Sequence, residues 1–298
     1  MYDVGAGEAI IITSPTGEAS LVDGGCRRKY TAMADALAAE IQPGSLSAFI
    51  ATHPHFDHLG AIQYLVESHH ELLAPNVSFY EPGTNPVPFR PGKNEWWRKL
   101  GVVLKKAKVP RRVVRGLIRP RLLGEDVDVA LYAGISNKED YQSVFMHVRF
   151  GRAALLFTGD AYCSYENQLL DKHAKDDIFR AHALKVTHHG GQDGTSRRLV
   201  AMVRPGIAFA STFDDEGHRW ETDARRRLAS GCTQLETWNR GDVVLRTDGQ
   251  WDDSGVLFEV DTQRPGTLAG ALNLPVSRPQ YKSLGKTKDL ACAEAPSN

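Results

Sequence analysis

Short apolar runs bounded by turn residues recur along the chain, and they predict strands that alternate with helices. We expect strands at residues 8–13, 18–23, 47–52, 77–80, 127–132, 143–150, 153–158, 183–187, 206–211, 234–238, 243–247 and 256–260. Helical composition and spacing mark residues 29–41, 60–71, 164–175 and 194–203. A hairpin opens each half, so this alternation favours an α/β protein built as an αβ/βα sandwich: two mixed sheets covered by helices, in four layers.

The pattern predicts one main domain with an insertion and a tail. Residues 1–262 carry the strands and helices, whereas residues 263–298 are rich in Pro, Gly, Ser and Lys and are expected to be poorly ordered. Residues 82–124 form a basic insertion. It opens with a Pro- and Gly-rich loop at 82–92 and continues into a segment with many cations.

Composition narrows the class of protein but does not identify a partner. The formal net charge is zero, so the whole chain has no field that would favour nucleic acid or membrane. Four widely spaced cysteines and no C-x-x-C pair argue against a disulfide framework and against a thiolate zinc site. With no signal peptide and no long apolar run, a cytoplasmic protein is expected.

The candidate chemistry begins directly after the strand at 47–52. His53, His55, Asp57 and His58 place three imidazoles and one carboxylate within six residues. These are the ligands that borderline divalent cations prefer. Residues two apart in an extended segment point the same way, so His53 and His55 can share one metal ion, and Asp57 and His58 can reach a second.

Two later strands also end in potential ligands. Asp160 follows the strand at 153–158 across Gly159, and His188 and His189 follow the strand at 183–187. Functional groups in α/β proteins collect just beyond the carboxyl ends of buried strands. The sequence therefore predicts that these residues contribute to a metal centre.

The order of these motifs resembles the metallo-β-lactamase superfamily, and within it the hydrolase domain of ComEC-type DNA-uptake proteins. The motifs that carry the resemblance are DVGAGEA (3–9), VDGG (22–25), THPHFDHLG (52–60), Asn137 with Ser143, LLFTGD (155–160), LKVTHHG (184–190) and Gly217-His218. The resemblance covers residues 3 to 260 and implies the metallo-β-lactamase fold and a metal-dependent hydrolase.

The resemblance also implies a role for each matching residue. His53 and His55 would hold one metal ion, Asp57, His58 and His188 a second, and Asp160 would bridge them. Asn137 stands where many superfamily members have another histidine, which leaves the metal open: two ions of Zn²⁺ or Mn²⁺, with Mg²⁺ as a further candidate.

Further roles remain open at this point. Asp57 or Asp160 would accept the proton of the attacking water. His218 would contact the leaving group or a phosphate, and His189 would support the metal or face the substrate. His147 alternates with apolar neighbours and is expected to be a core histidine.

The basic insertion suggests a substrate class. Ten cations and no acid lie within 98–121, and Trp96-Trp97 precede them. Lysine and arginine neutralise phosphates, and aromatic side chains stack on bases, so Lys105, Lys106, Arg111 and Arg112 are predicted to contact nucleic acid. Two alternatives stay open: a small-molecule hydrolase (lactonase, thioesterase or cyclic-nucleotide phosphodiesterase) and a non-catalytic metal-binding interaction domain, either within a larger assembly or with a partner protein.

Overall fold

The computed structural model of the chain describes residues 1–5, 7–25, 30–83, 95–134, 142–173, 175–213, 220–228, 230–252, 255–256 and 258–263. The chain divides into two compact units, Met1–Met146 (unit 1) and His147–Asn298 (unit 2). Each unit contains strands and helices, which confirms the predicted α/β class.

The described strands are β1 (Ile10–Thr13), β2 (Ala19–Val22), β3 (Leu46–Ile50), β4 (Leu73–Glu81), β5 (Arg111–Val113), β6 (Gly116–Ile118), β7 (Val127–Ala133), β8 (Phe145–Phe150), β9 (Ala153–Phe157), β10 (Ala183–Lys185), β11 (Ile207–Ala210), β12 (Thr233–Glu236), β13 (Val243–Arg246), β14 (Trp251–Asp252), β15 (Gly255–Val256) and β16 (Glu259–Thr262). The described α-helices are α1 (Tyr30–Glu40), α2 (Phe56–Leu59), α3 (Ile62–Ser68), α4 (Glu95–Lys106), α5 (Cys163–His173), α6 (Arg197–Val203), α7 (Thr222–Arg227) and α8 (Thr237–Arg240).

Unit 1 is organised by a five-stranded sheet in the order β1-β2-β3-β4-β5. β1 and β2 form the predicted antiparallel hairpin, and the remaining neighbours pair in parallel. Leu21, Phe49 and Phe79 are fully buried in one core cluster with residues of α1, α3 and α4. One face of this sheet is therefore buried under helices. The loop that starts at residue 53 follows the carboxyl end of β3.

The opposite face of β4 is polar because side chains alternate along a strand. Asn76, Ser78 and Tyr80 share that face, while Val77 and Phe79 belong to the helix-covered core. Such alternation creates a polar surface at the sheet edge, where β4 pairs with β5.

Unit 2 is built on four parallel strands in the order β12-β11-β10-β9. The carboxyl ends of β9 and β10 lie side by side because Leu155 and Leu156 pair with Ala183 and Leu184. The backbone N–H of His188 donates to the carbonyl of Gly159 at 3.0 Å. This pairing brings Asp160 and the two histidines His188 and His189 together at the carboxyl ends of the strands.

Several expectations need correction. The segment at 60–71 is interrupted, with α3 followed by a short 3₁₀ turn at His70–Leu72. The basic insertion contains α4, β5 and β6, which were not predicted, although Trp97, Leu100 and Leu104 have helical spacing. Cys163 is disulfide-bonded, contrary to expectation.

None of the described helices has the length and apolar character needed to cross a membrane.

Candidate metal centre

Unit 1 contributes a tight loop of potential ligands between β3 and α2. The backbone N–H of His55 donates to the carbonyl of His53 at 3.0 Å, and α2 starts one residue later. Nε2 of His53 lies 2.8 Å from Nδ1 of His55, so the two imidazoles converge as the two-residue spacing predicts. The ring of His58 is 4.2 Å from that of His53, centroid to centroid. The structure thus brings all three histidines together.

Asp23 organises these histidines from beneath. Its carboxylate accepts hydrogen bonds from Nδ1 of His58 at 2.7 Å and from the Thr52 hydroxyl at 2.7 Å, and it also accepts from the Thr52 backbone N–H at 2.9 Å. Asp23, His58 and Thr52 are all buried. Because Nδ1 of His58 carries the donated proton, Nε2 is the nitrogen with the lone pair that a metal needs.

The same carboxylate also fixes the tautomer of His53. The Thr52 hydroxyl donates its hydrogen to Asp23, so it can only accept a hydrogen bond from Nδ1 of His53, which lies 3.1 Å away. Nε2 of His53 is then the basic nitrogen, and it accepts from His55 in this structure. Sequence reasoning missed Asp23, although an acid that directly ends a buried strand was a usable signal.

A second carboxylate lies close to this network. Glu8, Asp23 and His58 are fully buried, and each offers a ligand atom within 4.8 Å of the others. These three groups are close enough together to hold a metal ion. Glu8 belongs to the first sequence motif, but it was not predicted to be a site residue.

Glycines allow the ligand loop to pack against the first strands. A Cβ added at Gly7 would lie 1.9 Å from the carbonyl oxygen of Asp57, and one at Gly24 would lie 2.7 Å from Ile62. Gly7 has φ of +110°, a conformation that side chains rarely adopt. Gly7 therefore sets the position of Asp57 on α2 through close backbone contact.

In unit 2, Asp160 lies between two nitrogen groups. Nζ of Lys185 is 3.6 Å from its Oδ1, and Nε2 of His189 is 3.3 Å from its Oδ2. Nδ1 of His189 donates to the Ser211 carbonyl at 2.9 Å, which turns Nε2 toward Asp160. Lys185 is fully buried and also donates to the Gly159 carbonyl at 3.0 Å. Its role in orienting Asp160 was not predicted.

His188 faces a different carboxylate. Its Nδ1 lies 2.8 Å from Oδ1 of Asp193. Burial favours the neutral imidazole, but the hydrogen bond to Asp193 and the charges of Asp160 and Asp193 outweigh it and raise the pKa of His188. The Nδ1 hydrogen bond again leaves Nε2 as the nitrogen for a ligand.

An unusual backbone holds the two histidines apart. His188 and His189 both have positive φ, 49° and 53°, and Gly190 follows at 82°. Left-handed residues other than glycine cost about 1–3 kcal/mol each, so surrounding contacts must hold them. The reversal directs the neighbouring imidazoles to Asp193 and to Asp160, respectively.

Glu166 supplies part of that support. This fully buried residue of α5 accepts from the Thr187 hydroxyl at 2.5 Å and from the backbone N–H groups of Thr195 and Ser196 at 2.6 and 2.7 Å. Burial raises the pKa of Glu166, while these hydrogen bonds oppose the rise. Glu166 therefore ties both ends of the histidine loop to one helix.

The other predicted residues fall into three groups. Asn137 and His218 lie outside the described residues. His147 is buried on β8 and bonds the Arg180 carbonyl at 3.0 Å, which confirms a core histidine. Trp97 is buried in the unit 1 core, so it is not available for the predicted stacking on bases.

The predicted nucleic-acid contacts occupy separate surfaces. Lys105 and Lys106 are exposed at the end of α4. Arg111 forms a two-pronged ion pair with Glu81, at 2.9 and 2.7 Å, and lies over the Trp97 ring. Arg112, the next residue of β5, points to the opposite face.

Residues 2–212 match the family model of the metallo-beta-lactamase superfamily. The chain belongs to this superfamily. Most of its members are metallo-hydrolases, and proteins of this fold bind divalent metal ions. The resemblance found in the sequence is therefore confirmed at the level of the superfamily and the fold.

Individual relatives agree with this membership. Recombination protein 2 of Haemophilus influenzae is 26% identical over 219 residues, which are 70% of this chain but only 23% of that protein. The chain thus spans about a quarter of that relative's length. The metallo-beta-lactamase fold protein YhfI of Bacillus subtilis has a TM-score of 0.50 at 14% identity, with 78% of this chain and 88% of that one covered; this likeness concerns the fold alone.

The contact of Gly7 with Asp57 predicts a selective effect of a methyl group. Gly7→Ala should destabilise the protein by several kcal/mol or displace α2, because the added Cβ meets a backbone oxygen that cannot rotate away. Gly17→Ala is the matched control: Gly17 has φ of +96° but nothing lies within 4 Å of its Cβ. The control should cost only about 1–2 kcal/mol in chemical unfolding. Equal losses in the two variants would contradict the packing role of Gly7.

The Asp23 network predicts that its carboxylate sets metal affinity without being a ligand. Asp23→Asn should weaken binding of Zn²⁺ or Mn²⁺ about 10- to 100-fold, because an amide cannot accept all three hydrogen bonds. Asp35→Asn is the control, since Asp35 bonds His69 at 2.8 Å in an exposed pair. Competition titration with a chelating dye measures the affinities. Unchanged affinity in a folded Asp23→Asn protein would remove Asp23 from the centre.

Proposed function

We propose that the chain is a metal-dependent phosphodiesterase that cleaves nucleic acid. The observation that carries this proposal is the hydrogen bonding of Asp23, since it presents Nε2 of both His53 and His58 as basic nitrogens. Such fixed tautomers are typical of metal-binding histidines. Membership of the superfamily supports the hydrolytic part of the proposal.

The donor groups of both units fit divalent cations. We assign the metal ligands to His53, His55, Asp57 and His58 of unit 1 and to Asp160 and His188 of unit 2, with His189 and Asn137 as further candidates. Nitrogen and carboxylate oxygen together suit Zn²⁺ or Mn²⁺, and Mg²⁺ to a lesser degree. When bound, such ions polarise a phosphoryl oxygen and lower the pKa of water.

The chain's own residues would handle the proton. Hydrolysis requires water to lose a proton as its oxygen attacks phosphorus, while the bond from phosphorus to the leaving oxygen breaks. A carboxylate oxygen of Asp57 or Asp160 is proposed to accept that proton. Lys185 and His189 support Asp160 in this role because they orient its two oxygens. His218 is proposed to contact the leaving group or a phosphate.

Two observations favour nucleic acid as the substrate. The similar protein of Haemophilus influenzae is named for recombination, although this chain matches only 23% of it. The basic segment at 98–121 adds a surface that suits phosphates. A lactonase or a thioesterase lacks comparable support, since neither a lactone nor a thioester group carries a phosphate for these cations to contact.

Cleavage assays test the proposal directly. We expect labelled DNA or RNA, single- or double-stranded, to be cut in the presence of Mn²⁺, Mg²⁺ or Zn²⁺. Asp57→Asn and Asp160→Asn should reduce cutting to background while the circular dichroism spectrum stays the same, because each removes a proposed ligand and proton acceptor.

Asp171→Asn provides the matched control, because Asp171 forms an exposed ion pair with Arg198, and such pairs contribute little. It should cut like the wild type. If the metal-loaded wild type cuts no polymer but hydrolyses a lactone or thioester, the small-molecule alternative replaces the proposal. Metal binding without turnover of any ester would instead indicate a non-catalytic interaction domain.

A further inference from the structure

We propose that a groove at the edge of unit 1 binds the phosphodiester backbone of a nucleic-acid strand, outside the metal-ligand loops. This groove, the arginine groove, lies between β4 and β5 on one side and the segment 118–122 on the other, and has a volume of about 490 Å³. Its lining includes Arg112, Arg119 and Arg121 with Asn76, Ser78 and Tyr80. The inference rests on the proposed function because it names how that substrate would be held.

The charge of the lining favours an anion. Three arginines line the groove, and none of the described residues that line it is acidic. The planar guanidinium group suits phosphate oxygens because it donates two parallel hydrogen bonds. A volume of this size is typical of sites that hold a ligand of nucleotide dimensions.

Arg112 is the central cation of the groove. Its Nε donates to the Ser78 hydroxyl at 3.1 Å, and it forms no ion pair with any described residue. The neighbouring Arg111 is instead held by Glu81 and Trp97 on the other face of the sheet. Strand alternation thus separates a structural arginine from one whose charge is available to a ligand.

The two other arginines can turn to a ligand at low cost. Arg119 bonds Asp128 at 2.9 and 3.1 Å, and Arg121 bonds Glu125 at 2.8 Å. Both acids lie outside the groove lining. These pairs are largely exposed to solvent, and exchanging such a pair for a phosphate costs little.

The hydroxyl groups supply further hydrogen bonds. Ser78 and Tyr80 are buried on the polar face of β4. Burial raises the pKa of Tyr80, although the charge of Arg112 and the hydrogen bond to Ser78 lower it in part. The phenol therefore stays protonated and can donate.

The groove suits a backbone rather than bases. Among the described residues that line it, Tyr80 is the only aromatic one, and it is buried and cannot offer a stacking face to a base. Contacts would go to phosphate and sugar, which position a strand without reading its sequence. Binding should accordingly depend strongly on salt and weakly on sequence.

The experiment measures binding without cleavage. A fluorescein-labelled single-stranded oligonucleotide is titrated by anisotropy with the Asp57→Asn protein between about 50 and 200 mM salt. Adding Arg112→Gln should weaken binding and reduce the slope of log K against log salt by about 0.7, and changing all three arginines to Gln should reduce it by about 2. Arg112→Lys, which keeps the charge, should largely restore the slope.

Arg226→Gln is the control, because Arg226 lies outside the basic segment, on α7, in an exposed pair with Asp223. It should not change the slope. An unchanged slope of log K against log salt in the folded triple variant overturns the proposal. The proposal also fails if the triple variant loses binding of a mononucleotide but still binds the strand normally. If the wild type cuts no polymer but the arginine variants bind the strand more weakly, only the proposal of nuclease activity fails. If the wild type cuts nucleic acid but the arginine variants keep the same salt slope, only the proposal about the arginine groove fails.

Discussion

The candidate site of unit 1 depends on one buried carboxylate. Asp23 accepts three hydrogen bonds where water is excluded, so each of them is strong and each is costly to lose. Because two of these bonds determine which nitrogen of His53 and His58 is basic, the chemistry of the ligand loop is set before any metal binds. Gly7 and Gly24 bring the surrounding backbone close enough to keep this arrangement rigid.

Unit 2 achieves similar order by a different means. Here the strain of two left-handed residues is offset by the hydrogen bonds of Glu166, and the resulting reversal separates the roles of His188 and His189. The buried ammonium of Lys185 and the imidazole of His189 then orient Asp160. In both units, buried side chains orient the candidate ligands: Asp23 in unit 1, and Glu166 and Lys185 in unit 2.

Sequence reasoning succeeded where a residue's role follows from its neighbours in the chain. Most of the described strands and four of the eight described α-helices were predicted within a few residues, because apolar periodicity reports burial directly. His53 and His55 were predicted to converge because two-residue spacing is enough to aim them together. The prediction was poorest in the basic segment, where charge drew attention away from the helical spacing of Trp97, Leu100 and Leu104 in α4.

The sequence by itself determined the superfamily, the fold class and the candidate ligands, because these are carried by local motifs in a fixed order. Only the tertiary structure decided which groups orient them and which cations face solvent. Asp23 and His58 are 35 residues apart, and Arg111 and Arg112 are adjacent, yet the first two are bonded and the last two face opposite sides of a sheet. Hydrogen bonding depends on the distance between two groups in space, and strand alternation decides which face of the sheet a side chain occupies. The separation of two residues along the chain specifies neither.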